Sequence, residues 1–252
     1  MQYQHDYTAN PLARAHMHDL EERRHKADKV LAVLRDYWRD TRALSLLDMS
    51  CSAGHMTAAF AEHFAAVHGI DIDGNAVESA RRAHQADNLC FQVMDALHTV
   101  YPDDHFDVVV CNQMYEHVPD AQLLLDEINR ILRPGGVCYF SATNRLKVIE
   151  THYGRIPFLS YLPKPLAHRY LRALGKGRHY YETFYTYWGL RKLCRRFECI
   201  DYTLSILSDP AKYHALELIK PRSPLQRLAL IIARRAYWLV PGYIWLLRKP
   251  AA

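Results

Sequence analysis

The chain has 252 residues, half of them hydrophobic, which is enough to bury one large core or a core with appended elements and excludes a disordered or low-complexity class. Its six cysteines show no CxxC pair and no zinc-finger spacing and fall mostly within apolar runs, which argues against a disulfide scaffold and for buried thiols in a reducing compartment. The formal net charge of +5 conceals an acidic first part, with 12 Lys/Arg against 21 Asp/Glu over residues 1–144, and two basic stretches after it.

At the N-terminus, Leu20, Val30, Leu31, Val33, Leu34 and Trp38 recur at roughly helical spacing among dense charges, predicting one or two helices in a cap over residues 1–42. The N-terminus has no apolar stretch of signal-peptide type, so a cytoplasmic address is expected. LSLLDMS, AAVHGIDI, LCFQVM, FDVVVCN and GVCYFSAT follow, short apolar runs of the kind that form strands buried on both faces. Helical patterns over residues 55–63, 74–84 and 121–132 separate them, the last closed by Arg133-Pro134-Gly135-Gly136. Alternation at this spacing predicts an open, doubly wound α/β sheet. Further on, residues 182–196 read as a helix, and FECIDYTLSIL and YHALELIK as two final antiparallel strands joined around Ser208-Asp209-Pro210.

Ligands of such sheets sit beyond the carboxyl ends of the strands, near the point where strand order reverses. Those positions hold Asp48-Met49-Ser50-Cys51-Ser52-Ala53-Gly54 after the first run and Asp71 at the end of the second. After the third comes Met94-Asp95-Ala96, and after the fourth Asn112-Gln113-Met114-Tyr115-Glu116-His117. Asp71 is a carboxylate suited to a ribose diol. With these motifs, LDMSCSAG, GIDID, MDA, YEHV and ILRPGG in order, the chain resembles the class I S-adenosylmethionine-dependent methyltransferases of the methyltransferase type 11 (UbiE-like) group. The resemblance covers residues 44–144 closely and extends loosely to about residue 220.

The resemblance implies a Rossmann-like, seven-stranded sheet in a methyltransferase domain over residues 43–220, with S-adenosylmethionine as cofactor. By position it implies that Asp48 and the turn Ser50, Cys51, Ser52 and Gly54 hold the methionine end. Asp71 and Ile72 would take the ribose, Asp95 and Ala96 the adenine, and Asn112 and Gln113 the sulfonium side. An acidic core suits a sulfonium cation better than a pyrophosphate. Ser50 and Ser52 stand where the family has glycines, and serine is penalised wherever φ is positive. Binding is expected to survive, the alternative being a scaffold protein that has lost its cofactor. His117 is the candidate general base, with Glu116 and Tyr115 beside it, although alignment of the acceptor alone can suffice in this family. No HxxxH or HExxH pattern is present, so no metal is expected.

Residues 145–181 interrupt the passage from the fifth strand to the next helix and carry 8 Lys/Arg, 1 acid and several aromatics, with Pro157, Pro163 and Pro165. An insertion of this length is expected to be a helical lid over a small-molecule, sugar or lipid-linked acceptor, touched by His152, Tyr153, His168, His179 and Tyr180. The alternative is a cap whose aromatics dock on the core. The C-terminal stretch, residues 221–252, reads as an amphipathic tail outside the minimal fold. Its uncharged apolar runs fall short of the roughly 20 residues of a spanning helix. Trp238, Tyr243 and Trp245 beside Arg227, Arg234, Arg235, Arg248 and Lys249 suggest peripheral contact with an anionic membrane through residues 222–249. Packing on the domain itself or on a second subunit is the alternative. A nucleic-acid methyltransferase is a further alternative, since basic stretches with aromatics also bind RNA, but the turn after the fourth strand lacks paired prolines and no separate RNA-binding module is present.

Overall fold

The computed structural model describes residues 20–251; the part of the expected N-terminal cap before Leu20 lies outside the described residues. Five parallel strands, β1 (Ser45–Asp48), β2 (Ala66–Asp71), β3 (Leu89–Val93), β4 (Phe106–Asn112) and β5 (Leu132–Thr143), occupy the five apolar runs. With β8 (Glu198–Asp201) and β9 (Gly242–Arg248) they make one seven-stranded sheet in the order β3-β2-β1-β4-β5-β9-β8. Strand order reverses between β1 and β4, so the ligand crevice opens at their carboxyl ends. The Arg133-Pro134-Gly135-Gly136 stop lies within β5: Leu132 pairs with Phe106, and the ladder resumes at Val137 opposite Val108.

Side chains alternate along each strand, so the sheet has two buried faces. Leu46, Val108, Val110, Val137 and Tyr139 pack with Val30, Val33 and Leu34 of helix α1 (Leu20–Trp38) and with Phe60 of α2 (His55–Ala61). Leu47, Val109, Cys111, Cys138 and Phe140 point the other way, against Leu124, Leu125 and Ile128 of α4 (Ala121–Ile131) and against the lid. Helix α3 (Gly74–Ala83) covers Cys51 and Phe91 with Val77 and Ala80. No disulfide joins the six cysteines, four of which are buried.

Three expectations are corrected. The insertion after β5 is less helical than its sequence suggests: a short hairpin, β6 (Ile149–Glu150) with β7 (Ile156–Pro157), a 3-10 turn and a single helix, α5 (Lys164–Ala173). Pro163 and Pro165 start that helix, where a missing N–H costs nothing. The helix expected over residues 182–196 is only α6 (Tyr187–Leu193), capped by Thr186.

The largest correction concerns the end of the sheet. Residues 213–220 form no strand. After β8 the chain enters α7 (Thr203–Ser208), and the following irregular segment docks on α1, where Lys212 and Tyr213 both bond Asp36 (2.5 and 3.0 Å) and Lys29 meets Glu217 at 2.7 Å. Helix α8 (Pro224–Arg235) and a 3-10 turn follow, and the supposed tail then supplies β9, which lies antiparallel between β5 and β8. Tyr243, Trp245, Leu246 and Leu247 are all buried there, so a stretch read as peripheral is part of the core.

Candidate active site

The turn after β1 is built around two carboxylates. Asp48 accepts from the Thr57 hydroxyl at 2.7 Å and from the Ser50 N–H at 3.3 Å, while Asp71 at the end of β2 accepts from the Ser52 N–H at 2.9 Å and the Asp73 N–H at 3.0 Å. Burial pushes the Asp48 carboxyl up to about 6, against the opposing Thr57 hydrogen bond, and raises Asp71 as well. Two carboxylates whose ionisation burial resists are prepared for a cationic ligand.

Backbone angles resolve the two serines differently. Ser52 sits at φ 51°, in the left-handed region, whereas Ser50 is not among the residues of positive φ. Gly54 has φ 79°, and a Cβ there would lie 2.7 Å from Phe91 and 2.8 Å from Ala80. The retained glycine is therefore the one that packing requires. The Ser52 hydroxyl is buried with no protein partner, a polar atom left for a ligand to satisfy. Asp48, Ser50, Cys51, Ser52 and His55 line one cleft together with Arg23 of α1.

Around this cleft the remaining positions fall at the strand ends as expected. Asp95 is exposed and holds the Leu97 N–H at 2.9 Å, with Ala96 buried beside it; Ile72 and Asn112 are half-buried. Gln113 has φ 53°, and its amide bridges Ser141 and Thr143 of β5 (2.9 and 2.6 Å). These residues fit S-adenosylmethionine on two observations: the unpartnered Ser52 hydroxyl, and a paired-carboxylate turn that suits a ligand with ammonium and sulfonium charges.

Beyond Gln113 the chain turns into the acceptor side. Tyr115 is in the core: its hydroxyl donates to the Thr143 carbonyl at 2.5 Å and accepts from the Tyr185 N–H at 3.3 Å, a structural position rather than the catalytic one expected. Glu116 is fully buried with both carboxylate oxygens unpartnered, and burial pushes it up to about 7. His117 lies with Nδ1 3.8 Å from Glu182, its ring 5.0 Å from that of His152, and burial with the neighbouring His152 lowers it to about 3. His152 donates from Nδ1 to Glu150 at 2.6 Å. Glu150 also receives Lys147 at 2.9 Å and the Tyr180 hydroxyl at 2.8 Å. Burial alone would raise Glu150, but the His152 hydrogen bond and the Lys147 charge outweigh it and hold it at about 2.

Of the expected substrate residues, His152 and Tyr180 thus enter one polar cluster with Glu116 and His117. Tyr153 stacks edge-on to Tyr180. His168 and His179 pair with each other, 5.3 Å between centroids, and reach the cluster only through the Tyr180 N–H that His168 accepts. Lys164, counted among the lid cations, instead holds the carbonyls of Tyr180, Tyr181 and Glu182. Sequence reading missed Arg23, Thr57, Glu150 and Glu182, and took Lys147 only as one of the lid cations. None stands at the carboxyl end of a parallel strand of the main sheet, and the elements that carry them meet the site only in three dimensions.

Known proteins resemble this chain in sequence and in fold. Residues 47–140 match the methyltransferase domain family, so the resemblance read from the motifs is borne out over that stretch. The "Ubiquinone biosynthesis O-methyltransferase" of Coxiella burnetii is 30% identical over 142 residues, covering 55% of this chain and 56% of that one. The chain spans about half the length of the curated relatives it matches at the head of that comparison. Among solved structures, a methyltransferase in complex with the Haloferax volcanii Trm112 methyltransferase activator aligns over 99% of both chains with TM-score 0.59 and 19% identity. An S-adenosylmethionine-dependent methyltransferase from Mesorhizobium loti aligns over 86% of this chain and 96% of that one, with TM-score 0.55 and 18% identity. Both likenesses establish the Rossmann-like methyltransferase fold.

Proposed function

We propose that this protein is an S-adenosylmethionine-dependent methyltransferase whose acceptor is a hydroxyl of a small-molecule, sugar or lipid-linked substrate. The observation that carries the reading is the turn in which Asp48, Ser52 and Asp71 converge, with one buried hydroxyl left unpartnered. When bound, S-adenosylmethionine supplies an electrophilic methyl group on a positively charged sulfur. Asp48, Ser50, Cys51 and Ser52 would hold its methionine end, with Arg23 facing the carboxylate, Asp71 the ribose, and Asp95 and Ala96 the adenine. Asn112 and Gln113 would flank the sulfur, the Gln113 amide being fixed by its two bonds to β5. The lid excludes water and aligns the acceptor. Glu116, His117 and His152 form the polar cluster that faces the acceptor hydroxyl. The O-methyltransferase names of the curated relatives favour oxygen as the accepting atom.

The same reading extends to an anionic membrane surface. On α8, Leu225, Leu228 and Ile231 are each more than half exposed, at spacing that puts them on one face, with Arg227, Arg234 and Arg235 exposed among them. Trp238 continues this surface and packs on Trp188, 5.5 Å between centroids. Among the described residues no helix is long and apolar enough to cross a membrane, so the proposed contact is interfacial.

Calorimetric titration with S-adenosylmethionine tests the core of the proposal. Wild-type protein should bind at micromolar concentration, and Asp71→Asn should weaken binding by about 10- to 100-fold, the worth of a charged hydrogen bond. A folded wild-type protein that gives no heat would favour the scaffold alternative.

A further inference from the structure

We propose that Glu116, His117 and His152 bind a divalent transition-metal ion, with Glu150 and Glu182 acting behind the two imidazoles. The three residues each offer one donor atom, and these atoms lie within 4.8 Å of one another. Coordination at about 2.1 Å would draw such atoms to about 3.4 Å apart, a shift within reach of side-chain rotation.

The independent pointer to a ligand is Glu116. It is 0% exposed and neither carboxylate oxygen has a partner, although a buried unsatisfied acceptor is costly and a charged one more so. A cation between Glu116 and the imidazoles would offset that cost. The His152 imidazole is held as metal-bound histidines usually are. Glu150 engages Nδ1 of His152 and leaves Nε2 as the nitrogen for an ion, and Lys147 and Tyr180 in turn fix Glu150. Glu182 stands 3.8 Å from Nδ1 of His117. It is also almost fully buried, with one oxygen unpartnered.

Two imidazoles and one carboxylate suit zinc, cobalt, iron or manganese rather than calcium or magnesium, which prefer oxygen. Three protein ligands leave a coordination position open. The expectation of no metal rested on local spacing, and spacing cannot show this set: Glu116 and His117 follow β4, while His152 follows the first strand of the lid hairpin. The lid therefore brings the third ligand, so the ion would tie the lid to the sheet. If the proposed methyl transfer holds, an ion held by these residues would supply Lewis-acid chemistry that favours the ionised form of a nearby acceptor hydroxyl. Ion binding itself does not depend on that reading.

The test uses the full chain, freed of metal by a chelator and titrated with Co2+ while visible absorption is followed, with Zn2+ as competitor. One equivalent should give a saturable band that zinc displaces. His152→Ala should abolish it, and Glu116→Gln and Glu150→Gln should weaken binding, the latter by about 10- to 100-fold as for other supporting carboxylates. His214→Ala, an exposed histidine in the segment docked on α1, should leave it unchanged, and a thermal melt of each metal-free variant confirms folding. No saturable band in the wild type, or a band undiminished in both folded Glu116→Gln and His152→Ala, overturns the proposal. Calorimetry with S-adenosylmethionine on the same samples keeps the two readings apart. Cofactor heat without cobalt binding sinks only the metal site, and cobalt binding without cofactor heat sinks only the methyl-transfer reading.

Discussion

Ser52 holds a left-handed conformation at φ 51° in which its Cβ is penalised by about 1–2 kcal/mol. Ser52→Gly should therefore raise stability in denaturant unfolding by about 1 kcal/mol, the remainder being offset by the greater freedom of glycine in the unfolded chain. Ser52→Ala keeps the strain and removes only the hydroxyl, so comparing the two variants in cofactor titration isolates what that unpartnered oxygen contributes. Gly54→Ala should do the reverse, costing about 2 kcal/mol or more, because its Cβ would meet Phe91 at 2.7 Å as well as adopting φ 79°. Asp48 adds a pH dependence. Its folded value of about 6 lies above the ordinary 3.8, so between these values the folded chain keeps a proton that the unfolded chain has released. The Asp48 contribution to stability accordingly falls as pH rises through that window and is level above it. Affinity for a cationic ligand runs the other way, rising by at most about tenfold per pH unit up to about 6 and then levelling off. Titration of S-adenosylmethionine across that range checks both the window and the sign. A constant affinity would mean that Asp48 does not face the ligand's charge.

β9 joins the parallel strands to β8, because it lies between β5 and β8 and pairs with both. Trp245 lies 1% exposed on that strand, with its indole N–H on the Tyr237 hydroxyl at 2.9 Å. Trp245→Ala should cost about 3–5 kcal/mol in chemical denaturation. A chain ending before Gly242 should fail to show a cooperative melt, since its loss would split the sheet; a normal melt would mean that β5 and β8 close without it. The parallel strands were legible in the sequence because a strand covered on both faces is an unbroken apolar run. Asp48, Asp71, Asp95 and Asn112 were legible with them as the residues at those strand ends. β9 was not, since GYIWLLR mixes aromatics with arginine as an interfacial segment does. Forty residues separate it from β8, where the sequence offered a nearer but misleading candidate at 213–220. The acceptor cluster was half legible for the same kind of reason: Glu116 and His117 follow a strand, while Glu150, His152 and Glu182 reach them only through the folding of the lid.

At the scale of the molecule, charge placed by sequence is redistributed by the fold. Of the basic residues near the C-terminus, Arg248 pairs with Glu198, and Lys249 reaches Asp104 at 2.6 Å and the Leu132 carbonyl at 2.8 Å, so both serve the sheet. Arg222, Arg227, Arg234 and Arg235 remain exposed on and beside α8. That helix buries Ala233 in the core and also carries an apolar stripe on its outer side. It buries Gln226, whose amide holds the Leu207 carbonyl at 2.8 Å, and leaves Leu225 61%, Leu228 53% and Ile231 55% exposed. An outward apolar stripe flanked by arginines matches the acyl boundary and headgroups of an anionic leaflet, each cation adding about 1 kcal/mol near the surface. Under the proposed membrane contact, the protein should co-sediment with vesicles containing anionic lipid and much less with neutral ones. Raised salt should weaken that binding, because the attraction is screened. A Leu228→Glu, Ile231→Glu double variant should lose sedimentation while keeping its melt and its cofactor affinity, since neither side chain supports the sheet or the turn after β1. Undiminished sedimentation of that variant would move the contact elsewhere, and no sedimentation of the wild type would leave the stripe to a protein partner. The distinction bears on the acceptor, because a lid that opens beside a bilayer is suited to a lipid-linked hydroxyl, and one facing water to a free small molecule.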